Sequence, residues 1–126
     1  MSIARVLVVE DEPLIRIFIM DSLEDAGFAV EEAGSASEAM TKLASMHASC
    51  VAVIVDVGLP DRPGDILAKE LRTTWPEMPI IIASGHDKSE FARQFMADRF
   101  VGVLGKPYDS KMLLDTLRSL GVTAAA

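Results

Sequence analysis

Val51-Ala52-Val53-Ile54-Val55-Asp56-Val57-Gly58-Leu59-Pro60 is the stretch on which the fold turns. Its first five residues are apolar without alternation, the pattern of a strand covered on both faces in a parallel sheet. Asp56 breaks the run, and Gly58 and Pro60 mark a loop. Working outward, short apolar runs recur at residues 5–9, 80–83 and 100–104. A weaker, more polar run at 28–31 suits the edge of a sheet.

Helix signals fill the gaps. Pro13 sits where a first turn would begin, and Leu14, Ile15, Phe18, Ile19 and Leu23 form an apolar stripe at helical spacing until Gly27. Ser35-Ala36-Ser37-Glu38 has capping-box spacing ahead of Ala39, Met40 and Leu43. Residues 65–75, 87–98 and 109–120 read as three more helices, the first stopped by Pro76 and the last carrying Leu113, Leu117 and Leu120 on one face. Five strands alternating with five helices predict a three-layer α/β sandwich of right-handed crossovers.

Composition agrees. The 126 residues are half apolar and a quarter charged, enough to bury one core and too apolar for a disordered chain. The single cysteine, Cys50, excludes a disulfide framework and a cysteine-built zinc site. No apolar run approaches the roughly 18 residues of a membrane span, and the N-terminal apolar stretch is too short for a secretory signal. The expectation is a soluble, cytoplasmic, single domain over residues 1–126, with a core of about 4–120 and a short tail at 121–126. With 12 basic against 19 acidic residues, the net charge of −7 repels phosphate backbones and anionic membranes. Neither nucleic acid nor membrane is expected as a direct partner.

The polar residues at the strand ends carry the chemistry. In open α/β sheets, ligands bind beyond the carboxyl ends of the strands. Glu10 and Asp11 follow the first strand, Asp56 the third, Ser84 and Gly85 the fourth, and Lys106 the fifth. In a parallel sheet these converge on one edge. Three carboxylates held together repel unless a cation intervenes, and oxygen-only ligands suit a hard ion such as Mg²⁺. Such an ion also neutralises an incoming phosphoryl group. Lys106 adds a second positive point and Ser84 a hydroxyl donor. Asp56 is then the candidate nucleophile, forming an acyl phosphate, with the Gly58 carbonyl near enough to share the cation.

Each residue alone has a plainer reading. Asp56 suits a solvated turn, Glu10 and Asp11 a helix cap, Lys106 an exposed surface, and Ser84-Gly85 an ordinary turn. Together, in order, at four strand ends, they outweigh those readings. Cys50 reads as a small buried hydrophobe, His47 and His86 as solvated, with His86 at the mouth of the site. Trp75 and the seven methionines read as packing.

The constellation resembles the receiver domain of two-component response regulators. The match rests on Val8-Val9-Glu10-Asp11-Glu12, Asp56-Val57-Gly58-Leu59-Pro60, Ala83-Ser84-Gly85 and Lys106-Pro107-Tyr108, and spans residues 5–120. The resemblance implies a flavodoxin-like, doubly wound five-stranded sheet in the order 2-1-3-4-5. It implies Asp56 as acceptor of a phosphoryl group from a histidine kinase or histidine phosphotransfer protein. Asp11, Asp56 and the Gly58 carbonyl would be direct Mg²⁺ ligands, with Glu10 acting through water. Lys106 would be the phosphoryl counter-ion and Ser84 the switching hydroxyl, and the Lys106–Pro107 peptide would be cis. The chain would catalyse only its own phosphorylation and dephosphorylation, and signal to a downstream protein as a monomer or weak dimer through the helix 4–strand 5–helix 5 face.

Two positions depart from the family's usual pattern. Val103 stands where many receivers carry Tyr or Phe, and Glu10 where Asp is more frequent. A receiver cut from a larger regulator or hybrid kinase would read identically. A Mg²⁺-dependent aspartyl-phosphate phosphatase is a further alternative, opposed by Gly58 standing where a general acid would be needed. A flavin module is opposed by acids in place of a Gly-rich loop after strand one.

Overall fold

The computed structural model describes residues 3–85 and 88–124. Five strands alternate with five helices: β1 (Arg5–Val9), α1 (Pro13–Asp25), β2 (Ala29–Ala33), α2 (Ala36–Met46), β3 (Cys50–Asp56), α3 (Gly64–Thr74), β4 (Ile80–Ser84), α4 (Lys88–Gln94), β5 (Val101–Gly105) and α5 (Ser110–Ser119). All strand pairs are parallel, in the order β2-β1-β3-β4-β5. This is the doubly wound, flavodoxin-like architecture the sequence implies.

Continuous apolarity in the central strands follows from helices on both faces. Ile80 and Ile82 belong to one core with α2, α3 and α4, whereas Ile81 belongs to the other, with α1 and α5. All three are 0% exposed, and each contributes about 1.5–3 kcal/mol by leaving water. Val53 and Val55 against Ala52 and Ile54 repeat the division in β3. Cys50 is buried at the start of β3, as expected. The Ser35 hydroxyl accepts from the Glu38 amide at 3.1 Å and so caps α2, while the Glu38 carboxylate reaches back to the Gly34 amide at 2.6 Å.

Some expectations need correcting. The apolar stripe of α1 is only half covered: Ile19 and Leu23 are buried, but Leu14 is 83% exposed and Phe18 39%. Leu14 and Phe18 lie instead beside Pro107 and Tyr108, along one groove. Helix 4 ends at Gln94 rather than 98, in a turn that closes when the Asp98 amide donates to the Phe95 carbonyl at 2.9 Å. The second strand runs over 29–33, and Phe28 instead plugs the α1–α5 core. Met40, Met46, Met78 and Trp75 pack as expected, but Met96 is 80% exposed. His47 is exposed, with its ring 5.5 Å from that of Trp75. His86 and Asp87, with the last two residues of the tail, lie outside the described residues.

Candidate functional site

The sheet delivers its polar strand ends to one place. Glu10 follows Val9, which pairs with Val55, so Glu10 and Asp56 leave adjacent strands at the same level. Asp56 in turn pairs with Ala83, one residue before Ser84, and Ser84 pairs with Gly105, one residue before Lys106. Two backbone hydrogen bonds continue the ladder past the strands: the Val57 amide to the Ala83 carbonyl at 3.1 Å, and the Lys106 amide to the Ser84 carbonyl at 2.8 Å. Gly64 lets α3 begin directly against Asp56, since a Cβ there would lie 2.3 Å from the Asp56 carbonyl oxygen.

Glu10, Asp56 and Ser84 are all buried, at 2%, 7% and 5% exposure, whereas Asp11 is exposed. Glu10, Asp11 and Asp56 each offer a carboxylate oxygen, and these atoms lie within 4.8 Å of one another. The Lys106 ammonium contacts Asp56 Oδ1 directly and stands 3.8 Å from Glu10 Oε1. The Gly58 amide donates to Asp56 Oδ2 at 3.1 Å, and the Glu12 amide to Glu10 Oε2 at 3.1 Å. A cleft of about 310 Å³ opens over these groups, lined among others by Glu12, Gly58, Ser84, Gly85 and Lys106. A wider cleft of about 640 Å³ around Trp75, Met78 and Gly121 gathers no comparable cluster.

The electrostatics reflect burial of charge. Removal from water pushes the Glu10 carboxyl up to about 7, and the neighbouring Asp56 and Asp11 charges add to this. The Glu12 amide and the Lys106 charge oppose the rise without cancelling it. Burial draws the Lys106 ammonium down, but its hydrogen bond and ion pair with Asp56 outweigh that, and it lies above the ordinary lysine value. Three acidic oxygen ligands could hold a hard cation, and the group contains no His or Cys that would suit a softer metal.

The structure therefore brings together Glu10, Asp11, Asp56, Gly58, Ser84 and Lys106. The Lys106–Pro107 peptide is cis, as expected. The aromatic residues near Val103 do not replace the one missing there. Val103 packs toward the α2–α4 layer, whereas Tyr108 packs on the opposite layer, its ring 6.2 Å from Phe18. Phe100 lies under the guanidinium groups of Arg72 and Arg99. The Tyr108 hydroxyl is buried with no hydrogen-bond partner among the described residues, and burial together with Glu10 and Asp56 raises its pKa.

Sequence reasoning missed two supports. Arg16 donates from Nη1 to the Glu10 carbonyl at 2.8 Å and pairs through Nε with Glu32 at 3.0 Å, so α1 holds the backbone of the acidic pair. Asp61 ties the loop after β3 to α2. For Arg16 the available signal was its position one turn into the helix that follows the acids.

Similarity to known proteins is consistent and broad. The model of the response regulator receiver domain matches residues 6–118. The chain is 36% identical over 117 residues to the sensor kinase CckA of Brucella abortus, covering 93% of this chain and 12% of that protein. It is 32% identical to the transcriptional regulatory protein PmrA of Pectobacterium parmentieri, covering 92% of this chain and 51% of that one. The chain thus spans at most about half the length of these two curated relatives. Among solved structures it superposes on the chemotaxis protein CheY4 of Vibrio cholerae with a TM-score of 0.83 at 30% identity, covering 94% of this chain and 99% of that one. A receiver domain protein from Clostridium thermocellum gives a TM-score of 0.84 at 28% identity, with 94% of both chains covered. With residues 6–118 matched by the family's model and the fold superposing on solved receivers, the chain belongs to the response regulator receiver domains of two-component signalling.

Proposed function

We propose that this chain receives a phosphoryl group on Asp56 from a phosphohistidine of a histidine kinase or phosphotransfer protein, and passes the signal on through protein contacts. The observation that carries the reading is the contact of the Lys106 ammonium with Asp56 beside three acid oxygens within 4.8 Å of one another. An Asp56 carboxylate oxygen attacks phosphorus, the phosphorus–nitrogen bond breaks, and its electron pair leaves with the imidazole, which takes up a proton. Asp11, Asp56 and the Gly58 carbonyl, with Glu10 through water, would hold a Mg²⁺ ion, which would supply neutralisation of the phosphoryl oxygens.

The chain's own residues do the remainder. Lys106 holds a phosphoryl oxygen, and the Gly58 amide keeps Asp56 oriented. Ser84 donates its hydroxyl to another phosphoryl oxygen. The added charge of about −1.5 to −2 draws the β4–α4 loop inward and biases the α4–β5–α5 face. Val103 is smaller than an aromatic ring, so this coupling runs through Ser84 and the α4 backbone without a ring rotating inward.

We further infer that the chain is one receiver unit over residues 1–126, acting in the cytoplasm. Among the described residues no helix is long and apolar enough to cross a membrane. Its work is signalling, with catalysis limited to its own phosphoryl transfer and hydrolysis. A second reading, that the unit works as part of a longer regulator or hybrid kinase, is favoured by the 12% share of the CckA kinase it covers. Both readings share one test. Intact mass after incubation with a small-molecule phosphodonor is expected to rise by one phosphoryl group with Mg²⁺, and to stay unchanged without it or in Asp56→Asn. Persistent labelling of Asp56→Asn would move the acceptor elsewhere.

A further inference from the structure

The loop after β3, residues 57–63, is fastened at both ends, and its outer fastening takes no part in the chemistry above. Asp61 Oδ1 accepts from the Ala36 amide and Oδ2 from the Ser37 amide, both at 2.9 Å. These are first-turn amides of α2, which have no partner within their own helix. Ser35, the residue at the cap itself, satisfies only the Glu38 amide. The two amides hold the Asp61 carboxyl down to about 2, so it stays ionised at any physiological pH. Arg62 reinforces the attachment, with Nε donating to Glu70 at 2.6 Å on α3 and Nη1 to the Ser37 hydroxyl at 3.5 Å.

The inner fastening is the site itself. The Gly58 amide is bound to Asp56, the Gly64 amide donates to the Val57 carbonyl at 2.9 Å, and Leu59 is buried in the α2–α4 core. Only Leu59 and Pro60 separate Gly58 from Asp61, and the φ of Pro60 is fixed by its ring. The segment is therefore short and stiff, and displacement of residue 61 is transmitted to residue 58. We propose that Asp61 is a positioning residue for the cation site: its clamp on α2 holds the Gly58 backbone where it can share a Mg²⁺ ion with Asp11 and Asp56. The inference rests on the cation-site reading given under Proposed function.

An ordinary helix cap would also account for the two hydrogen bonds, and a comparison on the same helix separates the roles. Ser35→Ala removes a cap from α2 but leaves the loop attached, whereas Asp61→Ala removes the attachment. Asp61→Asn keeps one acceptor oxygen and serves if the alanine variant folds poorly. Titration of the whole chain with Mg²⁺ alone, followed by calorimetry, is expected to give about 10-fold weaker binding for Asp61→Ala. Asp61→Asn is expected between it and wild type, and Ser35→Ala close to wild type. Amide hydrogen exchange at Gly58, read without metal, is expected to quicken in Asp61→Ala and not in Ser35→Ala. Equal Mg²⁺ affinities for wild type and Asp61→Ala, or equal losses in Asp61→Ala and Ser35→Ala, would overturn the positioning role. Absence of Mg²⁺ uptake by the wild type would defeat the cation site itself. Unchanged Gly58 exchange in Asp61→Ala would defeat the clamp alone.

Discussion

Ile81 and Glu10 are almost equally hidden from water, at 0% and 2% exposure, one within β4 and the other just past the end of β1. Burial acts on them with opposite sign. Ile81 sits in the body of β4 among Ile54, Leu104 and Leu113 of the same core, and its exclusion from water stabilises the fold. Glu10 sits just past the end of β1, where exclusion from water penalises its charge and raises its pKa to about 7. The body of the sheet supports an edge that is unfavourable by itself. A charged pocket of this kind persists because a two-sided apolar core holds its strands in register.

Substitution at either residue separates the two effects of burial. The largest effect on stability belongs to Ile81→Ala, which removes side-chain contacts from a site with no exposure and should cost about 2–5 kcal/mol. Denaturant unfolding measures it, and a loss below 1 kcal/mol, on the scale of an exposed position, would mean that the α1–α5 core is looser than described.

Glu10→Gln should act the other way. Its carboxyl is raised from an ordinary 4.5 to about 7, so the folded state prefers it protonated. The stability linked to this group is fully present below pH 4.5 and is lost as pH rises through about 7. In metal-free protein at pH 8, replacing it with neutral Gln should therefore raise stability by on the order of 2 kcal/mol, and the gain should vanish near pH 4. Added Mg²⁺ should stabilise wild type more than the variant. A variant less stable than wild type at pH 8 without metal would show that Glu10 is held by interactions outweighing its desolvation.

What was legible in the sequence divides along the same line. β3 and β4 could be read because burial on both faces demands an unbroken apolar run, and Asp56 and Ser84 stood out by ending those runs. Lys106 and Glu10 gain meaning only from a parallel sheet, since that alone brings residues so far apart in the chain to one edge. The overlooked elements depend on where loops and helices lie relative to each other. Asp61 meets Ala36 and Ser37 across 24–25 residues. Arg72 meets Asp98 across 26, at 2.6 Å, joining the end of α3 to the turn before β5. Neither pair follows from periodicity. Leu14 and Phe18 were misleading for a related reason: helical spacing identifies an apolar face but not how far the sheet extends beneath it. Exposed next to Pro107 and Tyr108, they line a groove of about 430 Å³ that also reaches Lys106.

On the proposed reading, Asp56, the acid oxygens, Ser84 and Lys106 act as one phosphoryl site. Beryllofluoride, which mimics a phosphoryl group on a carboxylate, tests it most directly when followed by backbone NMR. With Mg²⁺ present, the amide signals of Gly58, Ser84, Gly85 and Lys106 should shift together, with secondary shifts along β5 and α5. All should be absent without Mg²⁺ or in Asp56→Asn. Shifts that survive in Asp56→Asn, or wild-type signals that do not move at saturating Mg²⁺ and beryllofluoride, would contradict the account.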